Sequence, residues 1–130
     1  MSQFRYKLVL LVDDSYIDNL ISKKILQNNN FAEKIVVLDS SVDAIDYLKQ
    51  ALSSKDNIPE IIFLDIRMPG MDGFDFLKEL DSINGISNQK FKIYMLSSSL
   101  DPIDLKKIKD NKLISKFIGK PLSTQALKDI

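Results

Sequence analysis

Five short runs of the chain are apolar at nearly every position or close to it: Lys7–Val12, Lys34–Leu38, Glu60–Leu64, Phe91–Leu96 and Lys116–Ile118. The first, third and fourth show no polar alternation, as expected of strands covered on both faces of a parallel sheet. Between the runs the apolar spacing turns helical. Residues 15–28 carry Ile17, Leu20, Ile21, Ile25 and Leu26 at helical intervals, and residues 41–53 carry Ile45, Leu48 and Leu52. Residues 74–81 offer Leu77 and Leu80, and residues 102–111 offer Leu105 and Ile108; each set predicts one buried helix face. Ser15 with Asp18 three residues on predicts a capped helix start. Asp101-Pro102 predicts an N-cap followed by proline in the first turn. Strand alternating with helix predicts an α/β fold: (βα)5, a doubly wound three-layer sandwich on a parallel sheet of order 2-1-3-4-5. A last helix over about 123–130 is only two turns long, so it is either marginal or part of a longer chain.

Composition narrows what such a sheet can do. The chain has 130 residues, 45% of them apolar, which predicts a single domain over 1–130 with a real core. Lys+Arg and Asp+Glu are both 18, and that balance argues against a direct nucleic-acid binder. There is no Cys and no His. Disulfides, thiolate metal sites, imidazole acid-base catalysis and a phosphohistidine on this chain are therefore excluded. The longest early apolar run, Leu8–Val12, is too short for a membrane span or a signal-peptide core, so a cytoplasmic protein without membrane attachment is expected.

Ligands of open α/β sheets bind at the carboxyl ends of the strands. Asp13-Asp14 follows the first strand, Asp65 the third, Ser97-Ser98-Ser99 the fourth and Gly119-Lys120-Pro121 the fifth. Three neighbouring carboxylates resist joint ionisation. A hard divalent cation relieves them best, and an all-oxygen donor set suits Mg2+. Lys120 adds a point charge, and Ser97 a hydroxyl that can donate to a phosphoryl oxygen. Carboxylate nucleophile, metal, cation and hydroxyl together make a phosphoryl-transfer site. No conventional general base remains, which suits attack by an aspartate that is already ionised.

Four stretches, each at a predicted strand end, carry a family resemblance: LVDDS (Leu11–Ser15), LDIRMPGMDG (Leu64–Gly73), MLSSSLDP (Met95–Pro102) and FIGKP (Phe117–Pro121). In that order they resemble the receiver domain of two-component response regulators, a flavodoxin-like fold. The resemblance implies that Asp65 is the phosphoacceptor. It implies that Asp13, Asp14, Asp65 and the backbone carbonyl of Arg67 hold Mg2+. Lys120 and Ser97 would contact the phosphoryl group, Ser97 and Phe117 would form the switch, and the Lys120–Pro121 bond would be cis. Ser97 stands where Thr is frequent and Phe117 where Tyr is frequent. Phe117, lacking a hydroxyl, is expected to favour the inward rotamer. The Arg67 side chain is placed to reach the phosphoryl group or to block attacking water. Asp72 is read as structural, near the start of the third helix.

The implied function is a phosphoacceptor switch, phosphorylated by a histidine kinase or phosphotransfer protein, and not an enzyme in the usual sense. The resemblance implies a downstream protein partner on the face of helix 4, strand 5 and helix 5. Lys106, Lys107, Lys109, Lys112 and Lys116 make a basic stretch around helix 4 that reads first as a solvated face and alternatively as that partner surface. The oligomeric expectation is a monomer or a phosphorylation-dependent dimer. The alternatives are a receiver-like binding module that is never phosphorylated and, more remotely, a Mg2+-dependent phosphohydrolase with an aspartyl-phosphate intermediate. The hydrolase would need a second acid near Asp65, and Arg67 stands two residues on instead.

Overall fold

The apolar runs pair edge to edge into one parallel sheet. The computed structural model describes residues 3–83, 91–98 and 101–130. Its elements are β1 (Tyr6–Val12), α1 (Tyr16–Asn28), β2 (Ala32–Leu38), α2 (Ser41–Ser54), β3 (Ile61–Asp65), α3 (Gly73–Asp81), β4 (Lys92–Ser97), α4 (Pro102–Asp110), β5 (Ile114–Gly119) and α5 (Thr124–Lys128). The strand order is β2-β1-β3-β4-β5, all parallel. This is the predicted (βα)5 arrangement.

The two edge strands begin earlier than their apolar runs suggest. β2 starts at Ala32 and exposes Glu33 and Lys34; β5 starts at Ile114 and exposes Ser115 and Lys116. An edge strand pairs through its backbone while its side chains meet water, so hydrophobicity undercounts it. The central strands are buried on both sides. The period-2 alternation of a strand sends Leu10, Val12, Ile62, Leu64, Ile93 and Met95 into a core with α2 and α3. Val9, Leu11, Ile61, Phe63, Tyr94 and Leu96 face the other core, with Leu26, Phe31 and Leu127.

The helix caps follow the sequence. Ser15 accepts the Asp18 N–H at 3.2 Å and Asp101 accepts the Asp104 N–H at 2.8 Å, with Pro102 opening α4. Asp72 caps α3 in a reciprocal pair with Asp75. Two helix faces differ from expectation. On α1, Ile17, Leu20 and Ile21 are 65%, 47% and 40% exposed, and the buried residues are Asn19, Ser22 and Leu26. The Asn19 Nδ2 donates to the Asp13 carbonyl at 2.7 Å, and this bond turns the 19/22/26 stripe toward the sheet. On α4, Leu105 is exposed and only Asp104 is buried. Ile108 packs against the core as expected. Among the described residues no helix is long and apolar enough to cross a membrane.

Candidate functional site

β1 and β3 run in register, Val12 opposite Leu64, so the residues that follow them meet at one edge. Asp65 is the last residue of β3 and Asp13 the first beyond β1; both are buried, whereas Asp14 is exposed. Each of the three offers a carboxylate oxygen, and these oxygens lie within 4.8 Å of one another. Asp13 is fixed twice: its N–H donates to the Leu38 carbonyl at 3.2 Å and its Oδ1 accepts the Ser15 N–H at 3.0 Å. From β5 comes Lys120. Its N–H donates to the Ser97 carbonyl at 2.9 Å, and the Lys120–Pro121 peptide bond is cis.

The Lys120 ammonium contacts three carboxylates: Asp13 Oδ2 at 2.7 Å, Asp18 Oδ2 at 2.9 Å and Asp65 Oδ1 at 3.1 Å. An ammonium has three donors, so each has a carboxylate. Asp18 is the site residue that sequence reasoning missed. It was seen only as a cap partner, yet it lies one helical turn beyond Asp14, which was the available signal.

Burial pushes the Asp65 pKa up, the Asp13 charge adds to that and Asp14 adds less; the hydrogen bond and charge of Lys120 pull it back, leaving it at about 6. For Lys120, burial disfavours the charge, but hydrogen bonds to Asp13, Asp18 and Asp65 outweigh it, so its pKa is raised above the ordinary lysine value. The cluster therefore carries excess negative charge that one lysine only partly offsets. Its donors are all oxygens, in a chain without His or Cys, and that fits Mg2+.

The loop after Asp65 is held tightly. The Ile66 N–H donates to the Leu96 carbonyl at 3.2 Å and the Gly73 N–H to the Ile66 carbonyl at 2.9 Å. The Ser41 hydroxyl donates to the Met71 carbonyl at 2.8 Å. Gly70 takes a positive φ of 77°, which favours glycine. At Gly73 a Cβ would stand 2.6 Å from the Asp65 carbonyl oxygen and 3.0 Å from the Ile66 Cα. Gly73→Ala is thus expected to displace the end of β3, costing about 1–3 kcal/mol and weakening Mg2+ binding. Urea unfolding and a Mg2+ titration check this.

The remaining expected site residues fall as follows. Ser97 is buried at the end of β4, paired with Gly119; Ser99 lies outside the described residues. Phe117 is half-buried opposite Met95 on β4 and belongs to neither core cluster. Arg67 sits on the β3–α3 loop, and its guanidinium is turned to α4, pairing with Asp104 and lying 3.8 Å from Asp101.

The family model for the response regulator receiver domain matches residues 9–130. A two-component response regulator from Cytophaga hutchinsonii has a similar structure, with a TM-score of 0.86 at 31% identity, covering 95% of this chain and 92% of that one. The receiver domain of the histidine kinase CKI1 from Arabidopsis thaliana, solved in complex with Mg2+, has a TM-score of 0.81 at 23% identity, covering 92% of this chain and 87% of that one. The probable methanogenesis regulatory protein FilR2 from Methanothrix harundinacea is 25% identical over 121 residues, 93% of this chain and 76% of that protein. Other curated relatives are longer, and the chain spans about half the length of several.

Proposed function

Since the chain belongs to the response regulator receiver domain family of two-component systems, we propose that it is a phosphoacceptor signalling switch, residues 1–130 acting as one receiver domain. The observation that carries this is the convergence of Asp13, Asp14 and Asp65 within 4.8 Å, with the Lys120 ammonium 3.1 Å from Asp65. The donor is a phosphohistidine on a histidine kinase or phosphotransfer protein. An Asp65 oxygen attacks phosphorus, the phosphorus–nitrogen bond breaks, and its electron pair leaves on the imidazole. The product is an acyl phosphate. With its pKa at about 6, Asp65 is largely ionised at neutral pH and needs no base. Lys120 neutralises the arriving phosphoryl oxygens, and the Ser97 hydroxyl donates to one of them. Asp13, Asp14, Asp65 and the Arg67 carbonyl would hold Mg2+, which when bound would supply further charge neutralisation. Movement of Ser97 toward the phosphoryl group makes room for Phe117, and a downstream protein reads the altered surface.

The exposed α1 stripe suits the donor. Tyr16, Ile17 and Leu20 are 79%, 65% and 47% exposed, on the helix whose Asp18 touches Lys120. Ile17→Glu is expected to slow transfer from a phosphorylated histidine phosphotransfer protein about tenfold, the loss of a central apolar anchor. The rate with acetyl phosphate stays unchanged.

Intact mass after incubation with acetyl phosphate tests the function. One phosphoryl group gained only with Mg2+, and not by Asp65→Asn, is expected. A folded, Mg2+-binding protein that gains none from acetyl phosphate or from a phosphotransfer protein would be a binding module instead.

A further inference from the structure

α4 is held by an acid. Its single buried side chain is Asp104, 3% exposed, while the flanking Ile103 and Leu105 are 67% and 49% exposed. A buried carboxylate needs a cation or a full set of hydrogen bonds. Asp104 has Arg67, whose Nη2 bonds its Oδ2 and also lies 3.8 Å from Oδ2 of Asp101. Asp101 is the N-cap of α4 and accepts the Asp104 N–H at 2.8 Å. One guanidinium therefore spans both acids of the first turn of α4. Its other end is anchored two residues after Asp65, on the β3–α3 loop.

The pair is asymmetric. The Arg67 side chain is 61% exposed and that of Asp104 only 5%. The arginine can swing away alone; the aspartate can reach water only if the start of α4 moves. We propose that Arg67 and Asp104 form an ionic clasp that seats α4 in the unphosphorylated protein and that phosphorylation of Asp65 opens. This deepens the function proposed above and rests on it. A phosphoryl group on Asp65 offers Arg67 a doubly charged competitor with the oxygens its planar fork binds best. Once the guanidinium turns, Asp104 is left buried without its cation, and the first turn of α4 lifts to hydrate it. The far side of the helix stays tethered, with Lys107 over the Phe74 ring at 5.1 Å and Ile108 against the core. The added charge is thereby converted into movement of α4 about its later turns.

Hydrogen exchange of the α4 amides tests the clasp in wild type, Arg67→Gln and Asp104→Asn. Each is measured with Mg2+, before and after acetyl phosphate, with intact mass read on the same samples. In wild type, exchange over residues 103–107 is expected to rise about tenfold on phosphorylation, the size of a lost charge-assisted hydrogen bond. Arg67→Gln, which leaves the buried carboxylate without its cation, should already exchange at the faster rate. Asp104→Asn removes the charge that has to be hydrated, and neither variant should show a further rise on phosphorylation. Asp104→Asn keeps the shape of the side chain, so a folding defect in Arg67→Gln alone does not decide the outcome. A phosphoryl gain with unchanged wild-type exchange, or variants that keep the full phosphorylation-dependent rise, overturns the clasp alone. No phosphoryl gain in wild type overturns the trigger together with the phosphoacceptor reading.

Discussion

Lys120→Ala is expected to destabilise the metal-free protein at pH 7–8 by roughly 3–5 kcal/mol, the cost of removing one partner from a buried ion pair. The lysine side chain is 13% exposed, and two of its three acid partners, Asp13 and Asp65, are 4% and 7% exposed. Without the ammonium these carboxylates face each other in a poorly solvated pocket. The pH dependence carries the signature. Because the Lys120 pKa is raised on folding, its stabilisation is complete below the unfolded value, 10.5, and is lost only as pH rises through the higher folded one. The defect of the alanine variant should therefore persist across neutral pH and shrink in acid, where Asp65 protonates. Added Mg2+ should restore more stability to the variant than to wild type. Chemical denaturation at several pH values, with and without Mg2+, measures all three effects.

Asp65→Asn should act in the opposite direction, stabilising the metal-free protein at pH 7–8. Burial raises the Asp65 pKa from 3.8 to about 6, so the folded protein holds this proton more tightly than the unfolded chain. Stability then falls as pH rises from about 4 to about 6, and above that the penalty is complete. At about 1.4 kcal/mol per pKa unit the penalty is at most about 3 kcal/mol, and a gain of about 1–3 kcal/mol is expected from the neutral isostere. The gain should vanish below pH 4 and reverse in sign when Mg2+ is present, because the cation stabilises only the ionised cluster. Stabilisation on replacing the proposed phosphoacceptor would show that the site is held together against its own repulsion.

Much of this was legible in the sequence because strand periodicity and site chemistry coincide. The continuous apolar runs of β1, β3 and β4 marked the sheet, and an acid directly after two of them, Asp13 and Asp65, marked the edge at which ligands bind. Lys120 was legible for the same reason, after β5. What stayed hidden depends on the rotation of a helix about its axis. Apolar spacing on α1 pointed Ile17 and Ile21 inward, but the Asn19 bond to the Asp13 carbonyl decides the orientation, and a single polar contact has no periodicity. That same rotation brings Asp18 to Lys120. On α4 the apolar pattern was outweighed by an ion pair with a residue 37 positions away, which no local pattern encodes. The apolar runs of the edge strands β2 and β5 are shorter than the strands because exposed polar residues, Glu33 in β2 and Ser115 in β5, interrupt the pattern while the backbone still pairs.

The central claim is that the phosphoryl group is carried by Asp65, and its position can be read chemically. Protein incubated with acetyl phosphate and Mg2+ is treated with borohydride, which reduces an acyl phosphate to an alcohol and releases phosphate. The digest is then sequenced by mass spectrometry. The account predicts homoserine at position 65 alone, in the peptide carrying Leu64–Gly73, and none without Mg2+. A phosphoester surviving on Ser97, Ser98 or Ser99, or homoserine at position 13 or 14 with Asp65 intact, would contradict it.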